Sequence, residues 1–224
     1  MSGKSVVLNN MLQKKLIHEY KPEDIYIFSK TVKGDLTYKP ILKYIVDKGK
    51  KPNIYNTVDF KIINEIVSKQ EKVGINQMYA KTKEDEPKLK KILFIFDDML
   101  SDKGFKSHTS QFATFATLCR HYGISQIILT QKWKAVPNTI WQQSSGSILL
   151  CTDNFTMGMI TENCKYGEDK WLLNEYQKIN DAKEFGSIII NKSKPYTERY
   201  TAVYPLSKKH ETLLFDPNFK KNNE

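Results

Sequence analysis

The sequence predicts an α/β fold with a mainly parallel sheet covered by helices. Three observations carry this. Strand-like apolar runs alternate along the chain with runs of helical spacing. One of the strand-like runs, Ile92-Leu93-Phe94-Ile95-Phe96, is apolar at every position, as suits a strand buried on both faces of a parallel sheet. A second, Ile124 to Thr130, follows after a helical stretch and ends in Gln131. The 224 residues suffice for one domain with a full core, since 40% are hydrophobic and 12% aromatic.

Taken in order, Val6 to Leu12 opens a helix and Asp24 to Ser29 is a short β-rich run. Ile41 to Val46 and Phe60 to Val67 have helical spacing. Lys81 to Lys91, charged and broken by Pro87, is a solvated connection. The strand Ile92 to Phe96 then runs into Asp97-Asp98. Gln111 to Tyr122 is helical, with Phe112, Phe115, Ala116 and Cys119 on one stripe, and Gly123 stops it. After the strand ending at Gln131, Ser147 to Cys151, Ser187 to Ile190 and Tyr200 to Tyr204 read as further strands. The expected organisation is a single domain over residues 1–215 and a polar tail over 216–224.

Composition narrows the function classes. A mean hydropathy of -0.52 and the absence of an apolar run near the length of a span exclude a transmembrane helix. The N-terminal apolar run is too short for a signal peptide. Cys119, Cys151 and Cys164 are widely spaced, and His18, His108, His121 and His210 form no ligand pattern, which argues against zinc and a disulfide framework. The net charge of +10 is carried almost wholly by lysine, because Arg120 and Arg199 are the only arginines. Lysine neutralises phosphate but reads bases poorly, so a bound nucleic acid would be held by its backbone. A lysine-rich solvated surface accounts for the same charge equally well.

Three segments carry chemistry. Gly3-Lys4-Ser5 looks like the end of a phosphate-binding loop, in which the lysine reaches the phosphates and the hydroxyl ligates Mg²⁺. An ordinary loop would read the same. Asp97-Asp98 at a buried strand's end matches the Walker B pattern: the first aspartate for Mg²⁺, the second for the attacking water. A turn-forming aspartate pair is the alternative. Gln131 sits where many nucleotide hydrolases place an amide that senses phosphate or positions water; a plain strand end competes with that reading.

The order of these segments, with Leu118-Cys119-Arg120-His121-Tyr122-Gly123-Ile124-Ser125-Gln126 leading into Ile127-Ile128-Leu129-Thr130-Gln131, resembles the poxvirus-type genome-packaging ATPases of the FtsK–HerA superfamily. Val136-Pro137-Asn138-Thr139-Ile140-Trp141 fits the family's continuation, and the resemblance extends from Gly3 to about Asn191. It implies a P-loop NTPase fold, a three-layer sandwich with strand order 5-1-4-3-2, and a ring, commonly a hexamer, around double-stranded DNA. It implies ATP and Mg²⁺ as cofactors, with Gly3, Lys4 and Ser5 on the phosphates, Ser5 and Asp97 on the metal, and Asp98 and Gln131 catalytic. Arg120 is the expected cation supplied to a neighbouring subunit, with Arg199 second; Trp141, Gln142 and Gln143 stand where some relatives carry an arginine. Lys132-Trp133-Lys134 could grip DNA, or be a solvated loop. The expected setting is a virion or a viral factory in the host cytoplasm, with capsid or membrane packaging components as further partners.

One departure stands out. Only Met1 and Ser2 precede Gly3, so the loop's first glycine and the strand that feeds it are absent from this sequence. An internal methionine of a longer gene, a decayed copy, or a sheet closed up around the gap would each explain this. Besides the packaging motor, two functions compete: another FtsK–HerA-type DNA motor, and a catalytically silent DNA-binding or assembly protein.

Overall fold

A computed structural model describes residues 4–14, 19–82, 87–99, 111–131, 133, 136–150, 157–158, 160, 169–181, 187–195 and 200–203. The chain divides between Ser144 and Ser145 into two compact units.

The first unit holds α1 (Lys4–Lys14), β1 (Ile25–Ser29), α2 (Lys39–Asp47), β2 (Asn53–Tyr55), α3 (Phe60–Tyr79), β3 (Ile92–Asp97), α4 (Gln111–Leu118), β4 (Ile124–Leu129) and α5 (Asn138–Gln143). Its strands form one parallel sheet in the order β2-β1-β3-β4. Strand side chains alternate between faces, and the apolar pattern sends the two sets into two cores. Ile25, Ile27, Leu93 and Ile95 join Leu8 and Leu12 of α1 and Ile41 and Ile45 of α2. Phe28, Phe94 and Phe96 join Ile63 and Ile66 of α3 and Phe112, Phe115 and Ala116 of α4. Helices on both faces of a parallel sheet make the predicted three-layer α/β sandwich. The second core is aromatic: Phe28 and Phe96 stack at 4.9 Å, and Phe96 meets Phe112 edge-on at 4.9 Å. Each fully buried phenylalanine contributes roughly 1.5–3 kcal/mol over leaving it in water.

Two local devices fix the entry of β3 and β4. Buried Gln70 of α3 donates from Nε2 to the carbonyls of Lys90 and Tyr122, 2.7 Å each, tying the helix to the segments that lead into both strands. Gly123 ends the helical stretch at φ +67°, and a Cβ there would lie 2.8 Å from the Lys90 carbonyl, so only glycine fits.

The second unit holds β5 (Gly146–Leu149), α6 (Asp169–Asp181), β6 (Ser187–Asn191) and β7 (Tyr200–Val203). Its three strands pair antiparallel in the order β5-β6-β7. Gly146 lets β5 come so close that a Cβ would sit 2.5 Å from the Ile190 carbonyl.

Most predicted helices and strands appear with ends shifted by a few residues, the helix read over Phe60 to Val67 runs on to Tyr79, and Gln111 to Tyr122 finishes as a tighter 3₁₀ turn over Cys119–Tyr122. Patterning missed β2, α5 and α6. One expectation is corrected. The sequence reads 124–130 as a buried strand, but in β4 only Ile124 and Leu129 are buried, and Ser125 is exposed. The physical reason is position: among the described residues β4 pairs only with β3 and is an edge strand.

Candidate nucleotide site at the end of the parallel sheet

Ser29, Asp97 and Leu129 lie in one register row at the carboxyl ends of β1, β3 and β4. In open parallel sheets this is the edge where ligands bind, because the strand ends leave polar groups and loops facing a crevice. Asp97 is the last residue of β3 and is 3% exposed. Its Oδ2 accepts a 2.8 Å hydrogen bond from the Tyr38 hydroxyl. Its Oδ1 is buried and has no hydrogen-bond partner among the described residues. Burial pushes this carboxyl above the usual aspartate range, and the charge of Asp98 adds to the push; the Tyr38 bond and Lys4 oppose it.

Asp98 follows with φ +52°, the only positive φ outside glycine among the described residues. Aspartate tolerates this region better than most side chains, yet such strain persists only where the surroundings over-determine it, commonly at functional sites. Here they do. Its amide donates to the Leu129 carbonyl at 3.1 Å. Its Oδ1 accepts from Lys4 Nζ at 2.8 Å and its Oδ2 from Gln131 Nε2 at 3.2 Å. Lys4 is the first residue of α1, so a lysine, a helix N-terminus and two carboxylates meet at one sheet edge. At Lys4 the side chain is only 12% exposed, while Asp98 is 41% exposed and open to solvent.

Asp35 stands just before the 3₁₀ turn Leu36–Tyr38, and the Ser5 hydroxyl is the weakest of the influences that lower its carboxyl. Asp35 accepts from the Thr37 amide at 2.9 Å and the Thr37 hydroxyl at 2.6 Å. The Thr37 hydroxyl is the largest influence holding the Asp35 carboxyl below its ordinary range. A divalent cation fits this edge by one direct observation: the Oδ1 of Asp97 is a buried carboxyl oxygen without a hydrogen-bond partner among the described residues. Asp97 and Ser5 are the residues that would hold the ion. The described protein groups do not form a cage by themselves, since no three His, Cys, Asp or Glu residues cluster at ligand distance among them, so phosphate oxygens would complete the coordination.

The structure thus brings together Lys4, Asp98 and Gln131, with Asp97 beside them and Ser5 one residue from Lys4. Gly3, Arg199, Lys132 and Lys134 lie outside the described residues. Trp133 packs edge-on against Trp141 at 4.4 Å. Arg120 is exposed in the turn that precedes β4, and so at the other end of that strand from Gln131. Six residues of strand separate the two, roughly 20 Å. Sequence reasoning missed Asp35, Thr37 and Tyr38. The capping pattern Asp-x-Thr before a helix is visible, but Tyr38 meets Asp97 across 59 positions, which no local signal encodes.

The Poxvirus A32 protein family model matches residues 1–199. Among curated proteins none matches the chain. In solved structures the chain is similar to B204, the DNA-packaging ATPase from Sulfolobus Turreted Icosahedral Virus, at 15% identity and a TM-score of 0.57, covering 92% of this chain and 93% of that one. It is also similar to the genome packaging NTPase B204 from Sulfolobus turreted icosahedral virus 2 in complex with AMP, at 14% identity and a TM-score of 0.55 over 92% and 93% of the two chains. The same protein in complex with ATP-gammaS gives 14% identity and a TM-score of 0.54 over 91% and 92%. At such identities the likeness is one of fold.

Proposed function

The chain belongs to the Poxvirus A32 protein family, and from that premise we propose that it is an ATP-driven motor that moves double-stranded viral DNA into a capsid. The observation that carries the reading is the Lys4–Asp98–Gln131 triad at the carboxyl edge of a parallel sheet, beside a buried acid with a free oxygen. The likeness in fold to a genome packaging NTPase solved in complex with AMP and with ATP-gammaS agrees with it.

In this reading Lys4 leaves Asp98 for the terminal phosphates of ATP, exchanging one anionic partner for a stronger one at a helix N-terminus. That exchange frees Asp98, which is open to solvent, to accept a proton from the attacking water, while Gln131 holds the water or the phosphate oxygen. Ser5 and Asp97 would hold Mg²⁺, which when bound would supply neutralisation of the phosphate charge. Gly3 belongs to the phosphate loop. Arg120 is too far along β4 to serve its own site, so its catalytic role is to a neighbouring subunit of a ring, a hexamer by family resemblance. The lysine-rich surface holds the DNA backbone without reading sequence, as a motor passing over any sequence requires. No described helix is long and apolar enough to cross a membrane; the place of work is the virion or the viral factory in the host cytoplasm, with capsid or membrane packaging components as partners.

The test is phosphate release from ATP with and without double-stranded DNA. Hydrolysis that DNA stimulates and that Asp98→Asn and Lys4→Ala each abolish supports the motor. DNA binding without any hydrolysis would identify a silent binding or assembly protein instead.

A further inference from the structure

The turn Asp35-Leu36-Thr37-Tyr38 belongs to none of the three segments that carry the proposed hydrolysis, yet it touches an acid assigned to the cation: Tyr38 donates to Asp97 Oδ2. We propose that Tyr38 is a positioning residue for Asp97: its hydroxyl engages one carboxylate oxygen, and so turns the other toward a divalent cation. This rests on the reading of Asp97 as the cation-holding acid of an ATP site.

The physical argument has three steps. A buried aspartate with two equivalent oxygens has no fixed orientation unless something binds one of them. Tyr38 does so at 2.8 Å, and the other oxygen is the orphaned one. Second, Asp97 is the last residue of β3 and is 3% exposed, so its carboxylate is presented from a backbone position that the sheet fixes. Third, the donor itself cannot wander. Tyr38 is 2% exposed. Its turn is fixed by the two bonds from Thr37 to Asp35, and α2 starts immediately after it with Pro40 in the first turn and Ile41 and Ile45 in the core. A partner that orients a metal-binding group without touching the ion commonly governs affinity by 10–100-fold, here expected at about tenfold.

The experiment titrates Mg²⁺ against the binding of a fluorescent ATPγS analogue to the full chain, wild type and Tyr38→Phe. The half-saturating Mg²⁺ concentration should rise about tenfold in Tyr38→Phe, while nucleotide affinity in excess chelator stays within about twofold. A merely structural role would weaken both together. Equal Mg²⁺ requirements in the two proteins would overturn the proposal and leave the ATP reading intact. A wild type that binds no nucleotide at any Mg²⁺ concentration would overturn the ATP reading, and this proposal with it. If Tyr38→Phe does not fold, wild type labelled with ¹³C at tyrosine Cζ answers instead. The tyrosine resonance that Mn²⁺ broadens most should shift when Mg²⁺ joins the nucleotide complex; no tyrosine shifting overturns the proposal.

Discussion

Strands β3 and β4 are six residues each, lie side by side in the same direction, and both end at the candidate site. They differ in burial. Every residue of β3 is buried, whereas β4 is buried only at Ile124 and Leu129. The cause is the sheet rather than the side chains, because both strands are rich in isoleucine. β3 has β1 on one side and β4 on the other, while among the described residues β4 has a partner on one side only. The sheet thus presents its acids from a central strand and its amide from the end of an edge strand.

The largest effect that sharpens this comparison lies at the two strand ends. Asp98→Asn keeps a side chain that tolerates the left-handed backbone but removes the base, so hydrolysis should fall by roughly 10²–10⁴ with little change in unfolding temperature. Gln131→Ala should cost less, because it removes a bond on the exposed side of Asp98 rather than the base. Equal losses would show that both strand ends carry the same chemical weight.

Stability distinguishes the strands next. Phe96→Ala should cost about 3–5 kcal/mol in chemical denaturation, since the ring is fully buried and stacks on Phe28. Ile128→Ala, half-buried on the edge strand, should cost about 1–2 kcal/mol. Costs of the same size would break the distinction between a central and an edge strand.

Gly123→Ala acts at the entry to β4. It forces a Cβ to within 2.8 Å of the Lys90 carbonyl at a positive φ, and should destabilise by about 1–3 kcal/mol. A neutral result would mean that the Lys90 and Gly123 segments part easily, contrary to the bonds that Gln70 makes to both Lys90 and Tyr122.

The smallest expected effect has the opposite sign. The carboxyl of Asp97 is raised by burial, so its charged form burdens the fold. Native stability is highest where Asp97 is protonated and falls as pH rises through its raised value. Asp97→Asn removes that loss, and in the absence of Mg²⁺ should raise the unfolding temperature at neutral pH by about 2–4 °C. The gain should vanish at acid pH, where both proteins are uncharged at this position. Hydrolysis should be lost in the same variant, which would mark Asp97 as held for function at a cost in stability. Lower stability at neutral pH in Asp97→Asn would contradict the burial argument.

Much of the sheet and its acidic end was legible in the sequence because the signals are local. Five consecutive apolar residues followed by two aspartates specify a buried strand and what it delivers, and Gly123 marks its own turn. The expectation for β4 erred on burial because an apolar run reports what a strand could bury, and whether a neighbour is present is a property of the whole sheet. The short β2 lacks the length to show alternation. Tyr38 was invisible for another reason: a tyrosine ahead of a Lys-Pro helix start reads as core, and its bond to Asp97 exists only after β1 and β3 pair.

The central claim is that the edge where β3 and β4 end binds ATP through Lys4. The most direct measurement is calorimetric binding of ATPγS with Mg²⁺ to wild type and to Lys4→Ala. Saturable binding by wild type, weakened tenfold or more in Lys4→Ala while unfolding remains cooperative in both, is the predicted result. Equal affinity in the two proteins would contradict it.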